Sequence, residues 1–143
     1  MKRLLVLALF LALGVTATAC TDSTGPGDSL AGTYTLRSIN GATAFPILVY
    51  QDADVSSEVV SAQIVLDAAG NYQGTTRWRD TYFGTQPQVS DESSIGIWTL
   101  SGSQIALTDR DYPNDPYYGT VSGGTITLTD FTTGVGYTLV YSK

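Results

Sequence analysis

Thr99-Leu-Ser-Gly-Ser-Gln-Ile-Ala-Leu-Thr-Asp109 is followed, 21 residues on, by Thr120-Val-Ser-Gly-Gly-Thr-Ile-Thr-Leu-Thr-Asp130, and the two agree at seven of 11 positions. Each copy reads as a strand, a Ser-Gly turn and a returning strand. Thr, Val, Ile and Leu suit a pleated, half-buried surface, and glycine supplies the positive φ of a tight turn. One hairpin written twice in succession predicts an up-and-down meander, since each strand then pairs with its sequence neighbour and no crossover is required.

Period-2 alternation continues on both sides of the repeat. Tyr34/Leu36 oppose Thr33/Thr35/Arg37, Ala62/Ile64/Leu66 oppose Gln63/Asp67, and Tyr72/Gly74/Thr76/Trp78 oppose Gln73/Thr75/Arg77/Arg79. Each run has one face for a core and one for water. Between the last two, Asp67-Ala68-Ala69-Gly70-Asn71 predicts a hairpin with a bulge at Gly70. Gly136 to Ser142 makes a final strand with Tyr137, Leu139 and Tyr141 on one face, and a short strand is expected from Ile47 to Tyr50. From Leu30 onward Glu58 and Glu92 are the only glutamates and Lys143 the only lysine, a composition poor in helix formers. Eight or nine strands over these 114 residues predict an all-β, antiparallel meander closing into a small barrel, which leaves no long unpaired edge.

The interior would be shared by Tyr34, Leu36, Ile64, Leu66, Tyr72, Trp78, Trp98, Leu100, Ile105, Leu107, Ile126, Leu128, Leu139 and Tyr141. An eight-stranded barrel is just wide enough either to be filled by side chains or to hold one small ligand. The large inward aromatics favour filling, and both tryptophans are expected to be shielded. Arg77 and Arg79 would face outward, a solvated pair near acidic neighbours.

The first 30 residues carry an address. Met1-Lys2-Arg3 is basic, and Leu4 to Val15 is an apolar run of 12 residues, short of the roughly 20 that span a bilayer. It reads as a signal peptide, 1–19, ending in Ala17-Thr18-Ala19-Cys20. This segment resembles the lipobox of bacterial lipoproteins, in which the cysteine thiol accepts a diacylglyceryl group carrying palmitate-type chains. Ala17 stands where that pattern usually has Leu, and Ala17-Thr18-Ala19 also suits the ordinary signal peptidase. Ordinary cleavage would leave Cys20 as an exposed thiol, an oxidation liability. Residues 20–30, with one large apolar side chain, form a tether holding the domain 31–143 within ~20 Å of the bilayer. Thr21 after the cysteine, in place of Asp, resembles the sorting pattern of outer-membrane lipoproteins.

Seven Lys+Arg stand against 13 Asp+Glu; loss of Lys2 and Arg3 leaves 5 − 13 = −8, which argues against nucleic acid as a partner. The chain has no histidine and one cysteine, Cys20, which excludes Ser-His-Asp and Cys-His catalysis, His-liganded zinc and an internal disulfide. Glu58, Asp91 and Glu92 sit in polar contexts that give no reason for a raised pKa, so no catalytic residue is assigned and the chain reads as non-enzymatic.

Gly32-Thr33-Tyr34-Thr35-Leu36, followed by Asn40-Gly41 and Pro46, resembles the first strand and turn of bacterial lipocalin-like lipoproteins, and the hairpins at Leu66 to Tyr72 and Trp98 to Leu107 resemble their later repeats. In lipocalins proper the opening motif is Gly-x-Trp, with a basic side chain from the end of the barrel packed over the indole. Here Tyr34 holds the aromatic position and Lys143 is the basic candidate. The same opening also resembles small periplasmic heat-shock-type β domains.

Two loops are richer than solubility requires. Asp109, Asp111, Tyr112, Asp115, Tyr117 and Tyr118 crowd one, and Tyr82 and Phe83 lie on another. Tyrosines on Pro-stiffened loops are common at recognition surfaces. The plainer alternative is that they fold back over the barrel's open end. Asp109, Asp111 and Asp115 lack the Gly and Glu spacing of an EF-type loop, so no metal or other cofactor is assigned. The expected function is a lipid-anchored envelope protein that binds a small apolar ligand. The alternative is a module with a filled interior that docks an envelope protein through its tyrosine-rich loops.

Overall fold

The computed structural model describes residues 30–130 and 136–143. The expected signal peptide, Cys20 and all of the tether except Leu30 lie outside them. Among the described residues nine antiparallel strands follow one another: β1 (Gly32–Ile39), β2 (Ile47–Gln51), β3 (Val55–Leu66), β4 (Asn71–Tyr82), β5 (Gln88–Ser101), β6 (Gln104–Asp109), β7 (Tyr117–Ser122), β8 (Thr125–Asp130) and β9 (Tyr137–Ser142). Their order in the sheet is β1-β9-β8-β7-β6-β5-β4-β3-β2, a meander. β1 also pairs with the end of β3, Tyr34 opposite Ile64, and closes eight strands into a barrel. β2 is the extra strand, laid along the first half of β3 with Ile47 opposite Val59.

The turns follow from their residues. Asn40 and Gly41 take φ of 50° and 82°, the pair of positive values that a two-residue hairpin turn requires. The same Asn40 ties that turn to β9: its Oδ1 accepts from the Thr138 amide at 2.7 Å and its own amide donates to the Thr138 carbonyl at 2.8 Å. Tyr137 adds a hydroxyl donated to the Val49 carbonyl, which joins β9 to β2.

Alternation sorts the side chains as the sequence predicts, and the largest gather at one end. Tyr34, Leu66, Ile105 and Ile126 are fully buried there, each such side chain worth about 1.5–3 kcal/mol relative to exposure. Trp98 is pinned beside them, its indole N–H donating to the Asp67 carbonyl at 3.0 Å and its amide to the Gly70 carbonyl at 2.7 Å. Tyr34 donates its buried hydroxyl to the Leu30 carbonyl at 2.8 Å, which draws the chain entering the barrel across this end.

The other end is open. β3, β4 and β5 run for 12, 12 and 14 residues, whereas β6 to β9 run for six each. β5 pairs with β4 from Gln88 but with β6 only from Gly96, opposite Asp109, so one wall stands taller than the rest. The interior is not filled, contrary to the expectation from its aromatics. Most of those residues cluster at the closed end, while further up the inward positions of β4 and β5 include the small residues Gly74, Thr76, Ser90 and Ser94 beside Trp78, Asp80 and Glu92.

Candidate functional site

The inward faces of the strands enclose a cavity of about 650 Å³ that opens at the tall end of the barrel. Its lower part is apolar, with Leu36, Val59, Ile64, Leu107, Leu128, Leu139 and Tyr141 on the walls. Its upper part carries hydroxyls and carboxylates: Ser57, Thr76, Asp80, Ser90, Glu92 and Ser94. Tyr50, Tyr72, Trp78, Tyr117 and Tyr137 contribute aromatic surface. A volume of this size is ordinary for small-molecule sites, which run to roughly 300–1,000 Å³.

Tyr72 shows how the wall is built. It faces Gly96 on β5, and Gly96 faces Asp109 on β6, so the three lie side by side across the sheet. A Cβ at Gly96 would sit 2.7 Å from Tyr72 Cε1 and press into the Thr108 carbonyl, so glycine here makes room for the ring. The ring carries its hydroxyl to Asp109 Oδ2, to which it donates at 3.3 Å, and Asp109 Oδ1 accepts the Asp111 amide at 2.7 Å. Burial, together with the Asp109 charge, pushes the Tyr72 phenol up to about 12. A neutral phenol is thus held against the buried Asp109 side chain.

Higher on the wall, Trp78 donates its indole N–H to Glu92 Oε2 at 2.9 Å. The outward positions of the same strand hold its two arginines, as alternation predicts. Arg79 meets Glu58 of β3 at 2.6 Å, and Arg77 meets Asp91 of β5 at 3.6 Å. The Arg79 hydrogen bond keeps the Glu58 carboxyl below its usual range and raises the guanidinium in turn.

Of the residues predicted to be interior, Tyr34, Leu36, Ile64, Leu66, Tyr72, Trp98, Leu107 and Tyr141 are buried, and Leu139 packs against them. Trp78 has the expected inward phase but is only half-buried, because it lies near the opening and not in the packed end. The predicted loop residues separate. Phe83 is 87% exposed and Tyr112 71%, and Tyr82, Tyr118, Asp111 and Asp115 are also exposed. Tyr82 ends β4 and Tyr117 and Tyr118 open β7, so these are strand and not loop residues; Tyr117 turns inward to line the cavity, and Asp109 is the last residue of β6, buried against Tyr72. Among the described residues no acidic trio converges as a metal site.

Sequence reasoning missed Asp80, Glu92 and Tyr50 as cavity residues, and set Tyr137 on the face of Leu139 and Tyr141 without counting it in the interior. The signal for Glu92 was present, since Ser90, Glu92, Ser94 and Gly96 share the phase of Trp98 along β5. The chain matches no family model and no curated protein. Its fold is a closed eight-stranded antiparallel barrel with one added strand, consistent with a lipocalin-like barrel.

Proposed function

We propose that this chain is a lipocalin-like lipoprotein of the bacterial cell envelope, non-enzymatic, anchored through Cys20 in the outer membrane, that binds or carries a small apolar molecule inside its barrel. The observation that supports the reading is the cavity of about 650 Å³, apolar below and open at one end. Trp78 in its wall provides the test. A neutral naphthylamine dye added to the folded protein is expected to bind near micromolar, quench tryptophan emission and raise the melting temperature, by about 2.7 kcal/mol of stability at 100 times its Kd. Absence of both effects defeats the carrier reading. The anchor is tested separately: Cys20→Ala is expected to leave the membrane fraction, because stable anchoring takes two hydrophobic signals, as diacylation supplies. Retention of Cys20→Ala on membranes after a high-salt wash overturns the lipoprotein assignment.

A second reading, docking of an envelope protein at the tyrosine-rich loops, draws on the exposure of Phe83 and Tyr112. Loss of a co-purifying partner in Phe83→Ser with Tyr112→Ser, with dye binding intact, would favour it.

A further inference from the structure

We propose that the cavity selects amphiphiles with a cationic head: an apolar body lies among the aliphatic walls and an ammonium group sits in the upper part beside Glu92, Trp78 and Asp80. The inference rests on the carrier reading of the same cavity and names its ligand class.

The observation behind it is how the long wall sorts charge by face. Cross-strand register places Arg77 opposite Asp91 and Arg79 opposite Glu58 on the outside, where each cation meets an anion. On the inside, the same register places Thr76 opposite Glu92 and Trp78 opposite Ser90, with Asp80 beyond. Glu92, exposed to the solvent of the open end, there receives a neutral indole donor and no cationic partner among the described residues. Neither inward carboxylate forms an ion pair among the described residues. Asp80 and Glu92 line the cavity, and among the described residues no lysine or arginine does. Arg37 bonds Ser142 on the outer surface, Arg110 is exposed, Lys143 lies at the closed end, and Phe131 to Val135 contain no cation by sequence.

The consequence is a pocket whose polar part has one sign. A carboxylate or phosphate entering it would meet two like charges and no counterion, which disfavours a fatty acid. A cation meets the opposite. Trp78 and the tyrosines add ring faces, whose quadrupoles attract a quaternary or primary ammonium once water is partly excluded. Glu92 is level with Thr76, four residues deeper along β4 than Asp80, or ~13 Å of strand, so the two carboxylates mark an inner and an outer position for the head.

The test uses the mature chain made soluble by Cys20→Ala and three ligands of one chain length: dodecyltrimethylammonium, dodecanol and dodecanoate, each below its micellar concentration. Displacement of the neutral naphthylamine dye reports binding. The expected order is cation, alcohol, carboxylate, with the cation at least about tenfold tighter than the alcohol. Glu92→Gln with Asp80→Asn is expected to bring all three within about threefold, with alcohol binding retained, while Asp91→Asn on the outer face leaves the preference intact. Dodecanol and dodecanoate binding as tightly as the cation overturns the head-group inference and leaves the carrier reading standing. A preference that survives the double substitution, or that Asp91→Asn abolishes equally, overturns it too, since surface charge would then be its source. Failure of the dye and all three ligands to bind removes both.

Discussion

Lys143 Nζ lies 5.2 Å from the centroid of the Tyr34 ring and donates to the Ala31 carbonyl at 3.0 Å. The last residue of the chain thus caps the aromatic that opens the first strand, the arrangement implied by the resemblance to lipocalins, with a phenol in place of an indole. Gly32 makes it possible. A Cβ there would lie 2.9 Å from Lys143 Cε, and the backbone φ of +147° is one that L side chains rarely adopt.

Loss of this cap has a measurable cost. Lys143→Ala is expected to lower unfolding free energy in urea by about 1 kcal/mol, the size of a cation–π contact at a partly exposed site, and Lys143→Arg to restore most of it. Tyr34→Phe leaves the buried Leu30 carbonyl without its donor and is expected to cost about 1–3 kcal/mol. Unchanged urea midpoints in both Lys143→Ala and Tyr34→Phe would show that the closed end is held by other contacts.

Two inward glycines should differ in tolerance. At Gly96 an added Cβ meets backbone at Thr108 and the ring of Tyr72, whereas at Gly74 the tight contact is Ser94 Oγ at 2.6 Å, a short side chain that can turn aside at the cost of its hydrogen bond with Tyr72. Gly96→Ala is expected to cost about 3 kcal/mol and Gly74→Ala less than about 1.5 kcal/mol. Equal losses would mean that the Tyr72 ring is not seated as described.

The tryptophans should separate in the same way. Trp98 is 6% exposed and its indole N–H is hydrogen-bonded, so Trp98→Ala is expected to cost about 3–5 kcal/mol. Trp78 already borders empty space, and Trp78→Ala should cost distinctly less while weakening dye binding. Acrylamide should quench Trp78 in Trp98→Phe far more than Trp98 in Trp78→Phe. The reverse order would exchange the two ends of the barrel.

At alkaline pH the sign follows from Tyr72. Its folded pKa, raised to about 12 against about 10 in the unfolded chain, favours the neutral phenol in the fold. The associated stability is complete below about pH 10 and is lost as pH rises towards 12. Tyr72→Phe should flatten that limb of the stability profile, at the expense of leaving Asp109 without its phenol donor. An unchanged limb would assign the loss to other tyrosines.

Alternation placed the strands it reached, because a two-residue period leaves no freedom about which side chains share a face; it did not reach the upper halves of β3 and β5, or the strand residues Tyr82, Tyr117 and Tyr118 that the sequence assigns to loops. Gly70 closes the β3–β4 hairpin as expected, and Asn40-Gly41 makes the turn after the first strand that the resemblance implies, with positive φ at each. The state of the interior was not legible, for filling depends on which inward residues share a level of the barrel, and levels are set by register between strands. Tyr72 reads as a bulky core residue alone, yet with Gly96 opposite it lies along the wall. Asp109 reads as a loop acid until β6 is seen to end on it. Glu92 was passed over because its neighbours Asp91 and Ser93 are polar, although only every second residue shares its surroundings.

The unequal strand lengths give the barrel an oblique rim. Past Gly96, β5 runs eight more residues towards Gln88, ~25 Å of strand beyond its last pairing with β6. A guest of the kind proposed would therefore be surrounded only in its lower portion and flanked on one side above. Width is restricted by the ring of strands, but length is not: a molecule too long for the enclosed portion would still have room, with the remainder lying against the projecting wall like a spoon against its handle.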